Sequence, residues 1–290
     1  GYNFYDALTN GLFGADLLMI GGETGAGKSQ LLNNMGLQIW LQGNDLHSRD
    51  SFYPGYNVLY FSLEMPYEMC FRRSISKLGL LPFSGVRDST LNKEQFKVLK
   101  NICEFIEAYP YQFEIIDIPR GATVEMLEER LQDSMSRYKV DAICVDYIGL
   151  LDDKSSQDDW LKLGTISSKL HELSRVYNLP ILTAAQLNRV AQGGSPVGLH
   201  RFGRSSLIGT NCSSILQIES RKDESSFQNM KIHVLKNRSG ANGVEFYLNK
   251  NFACSSITDP PDQLLPDELL STSALNADLD ISNLLKEFNW

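Results

Sequence analysis

The sequence holds no cysteine in a metal-binding arrangement. Five cysteines are scattered over 290 residues, and no two of them form a CxxC pair. This spacing argues against a zinc site and fits a reducing compartment such as the cytoplasm. A chain of this length buries enough surface to fold without disulfide bonds.

Long apolar runs are also lacking. No stretch approaches the length of a membrane-spanning helix, and no signal peptide is visible. We therefore expect no membrane association and a cytoplasmic location. The first residue is Gly1 rather than Met, which leads us to expect that an upstream region is missing.

An excess of positive charge is lacking too. The formal net charge is −8, which at first sight disfavours a nucleic-acid partner. Seven acidic residues and one lysine fall between Asp259 and Trp290, so this tail carries −6 and residues 1–258 carry only −2. Because a nearly neutral body can still present a local basic loop to phosphates, bulk charge leaves the question open.

Short apolar runs alternate with longer amphipathic stretches. This pattern is typical of an α/β fold with a mostly parallel sheet and helices on both faces. One helical stripe runs through Trp160–Tyr177 and is followed directly by a strand, as in a βαβ crossover. The predicted strands are Leu17–Gly21, Val58–Leu63, Phe113–Ile118, Ala142–Asp146, Ile181–Ala185, Ile215–Ile218, Lys231–Leu235 and Val244–Leu248.

Two segments are expected to lie outside this regular structure. Residues 192–206 contain four glycines and three basic side chains, and form a loop too long to be a mere connector. Three prolines between Asp259 and Pro266 mark the end of one globular domain over residues 1–258. Residues 259–290 then form an acidic tail, which is either a partner-binding appendage or a disordered segment.

A nucleotide-binding motif stands near the amino terminus. Residues 22–29 match G-x-x-x-x-G-K-[ST], follow a predicted strand and precede a stretch that can form a helix. Glycines let backbone N–H groups turn toward phosphate oxygens, Lys28 would reach the β- and γ-phosphates, and Ser29 would ligate Mg²⁺. The predicted site for ATP and Mg²⁺ comprises Gly22, Glu23, Thr24, Gly25, Ala26, Gly27, Lys28 and Ser29.

Three further polar residues stand at the ends of predicted strands. Asp146 closes an apolar strand where open α/β sheets bind ligands, and would hold the Mg²⁺ water shell. Glu64 either orients and deprotonates an attacking water or caps a helix that starts after Pro66. Gln186 either bonds to the γ-phosphate or is a polar loop residue.

Together these motifs resemble those of the DnaB family of hexameric replicative DNA helicases, whose motor domain is RecA-like. The resemblance covers residues 4–251, nearly the whole body. Its most specific parts are Phe61–Met65 (FSLEM) and Gln186–Arg189 (QLNR). The family implies an ATP-dependent DNA helicase that translocates on single-stranded DNA and unwinds duplex at a replication fork.

The resemblance also implies how the remaining site residues act. Lys236 and Arg238 would enter the ATP site of the next subunit, where an arginine stabilises the transferring phosphoryl group. As an alternative, Arg238 is a surface cation beside a turn. Arg204, Arg201 and Ser206 would contact DNA phosphates, unless their segment is a solvated loop. The implied partners are single-stranded DNA, further copies in a homo-hexamer, and a primase, helicase loader or other replisome protein.

Two other functions stay open at this point. One is a RecA-like recombinase or another RecA-fold DNA-dependent ATPase that does not unwind, and the other is a nucleotide-gated assembly module. The QLNR run and the Lys-x-Arg element favour a helicase over the first, and intact Glu64 and Asp146 favour an enzyme over the second. Ser205 and Leu207 replace an acid and a glycine of the family. The sequence therefore looks like a divergent member, viral or plasmid-borne in a bacterial host, or a shortened chain.

Overall fold

A computed structural model describes residues 2–41, 55–153, 159–188, 195–202, 206–219 and 229–260. For residues 159–160 and 206–207 it describes the backbone only. Most of the predicted tail, residues 261–290, and part of the predicted loop, residues 192–194 and 203–205, lie outside the described residues.

The described strands form one sheet. The order across it is β3-β2-β4-β5-β1-β6-β7-β8-β9, and the first six strands in this order run parallel. The remaining three are antiparallel. The strands are β1 (Leu17–Gly22), β2 (Val58–Ser62), β3 (Phe113–Asp117), β4 (Ala142–Asp146), β5 (Ile181–Gln186), β6 (Ser214–Ile218), β7 (Asn229–Asn237), β8 (Val244–Asn251) and β9 (Ser256–Thr258).

Helices cover both faces of this sheet. They are α1 (Asn3–Thr9), α2 (Lys28–Leu41), α3 (Tyr67–Gly79), α4 (Phe83–Asp88), α5 (Lys93–Ala108), α6 (Val124–Met135), α7 (Asp159–Tyr177) and α8 (Ser206–Asn211). Successive side chains of a strand point to opposite faces. Accordingly, Leu18 and Ile20 of β1 pack in one apolar core with α2, α3 and α5, while Leu17 and Met19 pack in a second core with α6, α7 and α8. The predicted α/β class, with a mostly parallel sheet covered on both faces, is confirmed.

Four neighbouring parallel strands bring their ends together. β2, β4, β5 and β1 are adjacent in the sheet. Gly22 is in register with Gln186, and Ser62 is in register with Asp146. The strand ends at Gly22, Asp146 and Gln186, with Glu64 just past the end of β2, therefore lie along one border of the sheet, which we call the carboxyl edge. The opposite border, where these strands begin, is the amino edge.

The two ends of the described body meet. The Tyr2 hydroxyl donates to the carbonyl of Ile257 at 3.2 Å, and the backbone N–H of Asn3 donates to Asp259 Oδ2 at 3.1 Å. Ordered contacts thus reach as far as Asp259, while the division at residue 258 stays a prediction. No helix among the described residues is long and apolar enough to cross a membrane.

Candidate nucleotide site

The predicted P-loop joins β1 to α2 at the carboxyl edge. Gly25 and Gly27 have φ angles of 78° and 97°, in the left-handed region that favours glycine. A Cβ on Gly27 would also lie 2.8 Å from the ring of Phe252. The loop therefore needs glycine at Gly27 for both its backbone conformation and its packing, and it ends at the first turn of α2, where free N–H groups favour anions.

Lys28 is folded back over this loop. Its Nζ donates to the Glu23 carbonyl oxygen at 2.8 Å, and the residue is only 9% exposed. Burial lowers the pKa of Lys28, whereas the charges of Glu64, Asp146 and Glu23 act in the opposite direction. The ammonium thus lies among three carboxylates, close to where phosphates would approach the loop.

Asp146 is fully buried beside Ser29. The Ser29 hydroxyl donates to Asp146 Oδ1 at 2.9 Å, and the Tyr60 hydroxyl donates to Asp146 Oδ2 at 3.0 Å. Burial raises the pKa of Asp146, and these two hydrogen bonds counteract it. A carboxylate and a hydroxyl are the hard oxygen ligands that Mg²⁺ uses together with water and substrate phosphates. No group of three or more His, Cys, Asp or Glu side chains suited to a metal occurs in the described residues.

Glu64 and Gln186 lie at the ends of β2 and β5, the two strands on either side of β4, which ends in Asp146. Glu64 follows β2, is exposed, and its charge acts on Lys28, Asp146 and Tyr147. Gln186 ends β5, is exposed, and lies beside the first P-loop glycine. An exposed carboxylate and an exposed amide at the mouth of a phosphate cradle are placed to act on a bound water and on a terminal phosphate.

Lys236 and Arg238 lie at the amino edge, away from their own P-loop. Asn237 pairs with Ser214, which pairs in turn with Leu18 at the start of β1. The P-loop begins at the other end of β1, roughly 13 Å farther along the strand. Lys236 and Arg238 therefore do not share one nucleotide site with Lys28 in the same chain.

These two cations cap the end of α8. Lys236 Nζ donates to the Gly209 carbonyl at 2.5 Å, and Arg238 Nη2 donates to the Thr210 carbonyl at 2.7 Å. Burial lowers the pKa of nearby His171, and the charges of Arg238, Arg175 and Lys236 lower it further. The amino edge thus presents a cluster of cationic side chains.

The predicted DNA contacts are only partly described. Arg204 lies outside the described residues, and Ser206 begins α8 with its side chain undescribed. Arg201 is 4% exposed, and its guanidinium donates to Glu23 Oε1 at 2.7 Å. A buried guanidinium that is already paired is not available to DNA phosphates, so this geometry argues against Arg201 as a DNA contact.

Two contacts of the site are missing from the sequence-based prediction. For Tyr60 the sequence gives a weak indication. Its side chain ends in a hydroxyl and lies two positions before Ser62, hence on the same face of β2. The pairing of Glu23 with Arg201 joins residues 178 positions apart, and no local pattern indicates it.

The sequence matches the family model described as "DnaB-like helicase C terminal domain" over residues 1–254. It is 25% identical over 263 residues to the replicative DNA helicase DnaB of Treponema pallidum. The aligned region covers 88% of this chain and 56% of that protein. The sequence is 23% identical over 192 residues to a probable replicative DNA helicase of Trieres chinensis, covering 65% of this chain and 39% of that one. The chain therefore spans about half or less of the length of these relatives.

Solved structures agree on the fold. One of them, described as an ATPase domain, superposes with a TM-score of 0.75 at 16% identity, covering 89% of this chain and 90% of that one. A second structure is that of a DnaB-like replicative helicase and is described together with its interactions with primase. It gives the same TM-score and identity, and the match covers 89% of this chain and 60% of that one. The predicted RecA-like core is thereby confirmed. With the family model matched over nearly the whole described body, the chain belongs to the DnaB-like helicase C-terminal domain family.

Proposed function

We propose that this chain is the motor domain of an ATP-driven replicative DNA helicase that translocates on single-stranded DNA and unwinds duplex at a replication fork. The observation that carries the proposal is the carboxyl edge, where a complete P-loop, the Ser29–Asp146 pair and Glu64 converge. Such a set of residues fits nucleoside triphosphate hydrolysis, and membership of the helicase family supports coupling of that hydrolysis to DNA unwinding.

Each residue of the carboxyl edge has its own proposed role in ATP hydrolysis. The P-loop N–H groups hold the β- and γ-phosphates, and Lys28 Nζ exchanges the Glu23 carbonyl for phosphate oxygens. Glu64 orients the attacking water and accepts its proton. Gln186 bonds to the γ-phosphate beside Gly22. Ser29 and Asp146 would hold a Mg²⁺ ion, which would supply positive charge to the phosphates.

The second half of the site comes from a neighbouring copy in a homo-hexamer. Lys236 and Arg238 are too far from their own P-loop to serve it, yet they belong to a cationic cluster at the amino edge, where Arg238 is exposed. Placed against the carboxyl edge of the next subunit, Arg238 would stabilise the transferring phosphoryl group. An arginine supplied in trans is worth ~10³–10⁵ in rate.

Single-stranded DNA would run through the centre of this ring, held by its phosphates through Arg204 and loop amides around Ser206. A primase, helicase loader or other replisome protein is the proposed further partner. The acidic residues 259–290, which repel DNA phosphates, are the proposed contact for it. The proposed location is the cytoplasm, and that of a bacterial host if the chain is viral or plasmid-borne.

The test measures ATP turnover with and without single-stranded DNA, together with displacement of one strand from a forked duplex. We expect Lys28→Ala to lose both activities, and Glu64→Gln to retain nucleotide binding while losing hydrolysis. Lys100→Ala, which removes an exposed lysine of α5, is the control and should behave as wild type.

The same preparations distinguish the alternatives. Turnover with strand exchange but no displacement would identify a recombinase-like ATPase and overturn the helicase proposal. Nucleotide binding without turnover by the assembled wild-type protein would identify an assembly module. Hydrolysis by Glu64→Gln at the wild-type rate would remove Glu64 from its proposed role.

A further inference from the structure

Residues 195–202 form a docked segment beside the P-loop. Gln217 of β6 holds this segment with two hydrogen bonds, accepting from the Gly198 N–H at 3.0 Å and donating to the Pro196 carbonyl at 2.7 Å. The Phe202 ring lies against Gly21, where a Cβ would come within 2.2 Å of it. The segment is thus fixed on the sheet at the end of the strand that leads into the P-loop.

One side chain of this segment reaches the P-loop itself. The Arg201 guanidinium donates to the Asn188 carbonyl from Nε at 3.0 Å and to the Pro196 carbonyl from Nη1 at 2.7 Å. Its Nη2 donates to Glu23 Oε1 at 2.7 Å. A buried cation is costly unless it is paired and hydrogen-bonded. Arg201 meets both conditions, and Glu23 supplies the carboxylate.

Glu23 is held at both ends. Its carboxylate accepts from Arg201, and its main-chain carbonyl accepts from Lys28 Nζ at 2.8 Å. The conformation of the Glu23 peptide therefore depends on a residue 178 positions away, and in this structure its carbonyl holds the P-loop lysine. This chain of contacts runs from Arg201 through Glu23 to Lys28.

We propose that Arg201 is a positioning residue for the nucleotide site, which orders the P-loop through Glu23 and so increases its affinity for nucleotide. The inference rests on the proposed nucleotide-binding function of the P-loop. Without the pair, the loop must be ordered by the nucleotide itself, and part of the binding free energy is lost to that ordering. By reciprocity, bound nucleotide stabilises the docking of residues 195–202.

The experiment is a double-mutant cycle with Glu23→Gln, Arg201→Gln and the double variant, measured with a fluorescent ADP analogue. We expect each single variant to raise the Kd about tenfold, and the double variant to raise it by no more than the larger single effect. Turnover of Arg201→Gln at saturating ATP should fall less than threefold, because Arg201 touches no reacting atom. Arg201→Lys should give a smaller rise, since lysine keeps the charge but lacks the planar fork.

Lys169→Gln is the matched control. It breaks an ion pair of 2.6 Å with buried Asp153, outside the P-loop. This variant should lower the melting temperature and leave the Kd for the ADP analogue unchanged. The second readout is hydrogen exchange in residues 195–202. ADP should slow this exchange in the wild type and not in Glu23→Gln. Glu23→Gln is used because the Glu23 side chain is only partly buried, which makes this variant the least prone to misfold.

Three results would overturn the inference. They are a wild-type Kd for Arg201→Gln, a double variant whose loss is the product of the two single losses, and the same ADP-dependent protection in Glu23→Gln as in the wild type. If the wild-type protein fails to bind the ADP analogue, the proposed function fails instead, and the two failures are thereby distinguished.

Discussion

Two carboxylates show how single residues are adjusted by their neighbours. Asp146 accepts hydrogen bonds from Ser29 and Tyr60 at the carboxyl edge. Glu114 on β3 accepts hydrogen bonds from Ser134, Arg137 and Tyr138. In both places a hydroxyl fixes the orientation of a carboxylate, which otherwise would rotate or bind water. At Asp146 that orientation matters for the metal, and at Glu114 it matters for stability.

Replacing Tyr60 with Phe removes one donor to Asp146 and leaves the ring in place. We expect the Mg²⁺ concentration for half-maximal ATP turnover to rise about tenfold, as for other residues that orient a metal ligand. Turnover at saturating Mg²⁺ should stay close to that of the wild type. Tyr138→Phe, which removes the corresponding donor to Glu114, is the control and should leave the Mg²⁺ titration unchanged. An unchanged titration in Tyr60→Phe as well would show that the hydroxyl does not orient the metal ligand.

Glu114 gives a pH-dependent prediction. Burial raises the pKa of Glu114, but hydrogen bonds from Tyr138, Arg137 and Ser134 lower it, and the net pKa is lower than the usual value. A carboxyl whose pKa is lowered by folding stabilises the protein above its unfolded pKa, and this contribution is lost as the pH falls through the folded pKa.

Glu114→Gln should therefore destabilise the protein at pH 7 by roughly 1 kcal/mol, a modest figure because the group is partly exposed. The difference from wild type should shrink below about pH 4, where the unfolded carboxyl is protonated. Urea unfolding at pH 7, 5 and 3.5 measures it. A difference that is constant over this range would mean that the ionised form is not favoured by folding.

At the scale of elements, local pattern located most strands and missed what depends on distant partners. β4 has the predicted bounds, and β1, β2, β3, β5 and β6 differ from prediction by one residue at an end. β9 has only three residues and no alternating pattern. It is held by Asn34 of α2, which accepts from the Ile257 N–H at 2.9 Å and donates to the Ser255 carbonyl at 2.9 Å. This strand pairs with β8 and is held in addition by a helix more than 200 residues away, and the sequence around it indicates neither contact.

Helix α5 offers a test at this scale. Asn92 accepts from the Gln95 N–H at 2.9 Å, and the Gln95 side chain accepts from the Asn92 N–H at 3.0 Å, so the two form a capping box. Asn92→Ala should cost about 1 kcal/mol of unfolding free energy. Asn92→Ser, which can cap equally well, should cost much less. Urea unfolding of both variants checks this, and equal losses would show that the cap is not the cause.

At the scale of the whole molecule, sequence motifs identified the residues of the carboxyl edge, and the fold placed them together. The strand order brings these residues together, because β2, β4, β5 and β1 lie side by side in the sheet although they follow one another in a different order along the chain. The amino edge could not be predicted from spacing alone. It follows from the reversal of β7, which carries Lys236 and Arg238 back to the start of the parallel strands.

The proposed contact between subunits makes a quantitative prediction. Arg238→Ala and Glu64→Gln should each hydrolyse ATP poorly when assayed alone. In an equal mixture, about one interface in four pairs an intact Glu64 with an intact Arg238, so about a quarter of wild-type turnover should return.

The control is a mixture of Lys28→Ala with Glu64→Gln. Both residues belong to the same carboxyl edge, so no interface regains a complete set and turnover should stay absent. If the first mixture also stays inactive although native mass spectrometry shows mixed assemblies, Arg238 does not act on a neighbouring subunit.

The separation of the two edges also has a consequence for stoichiometry. With the proposed trans contact, a row of subunits always leaves one unmatched nucleotide site at one end and one unmatched cation pair at the other, and only closing the row into a ring removes both. Turnover per chain then rises with the number of complete subunit interfaces. Dilution that opens or shortens the row of subunits therefore inactivates enzyme molecules that are still folded. ATP hydrolysis in such a system counts junctions between subunits rather than subunits.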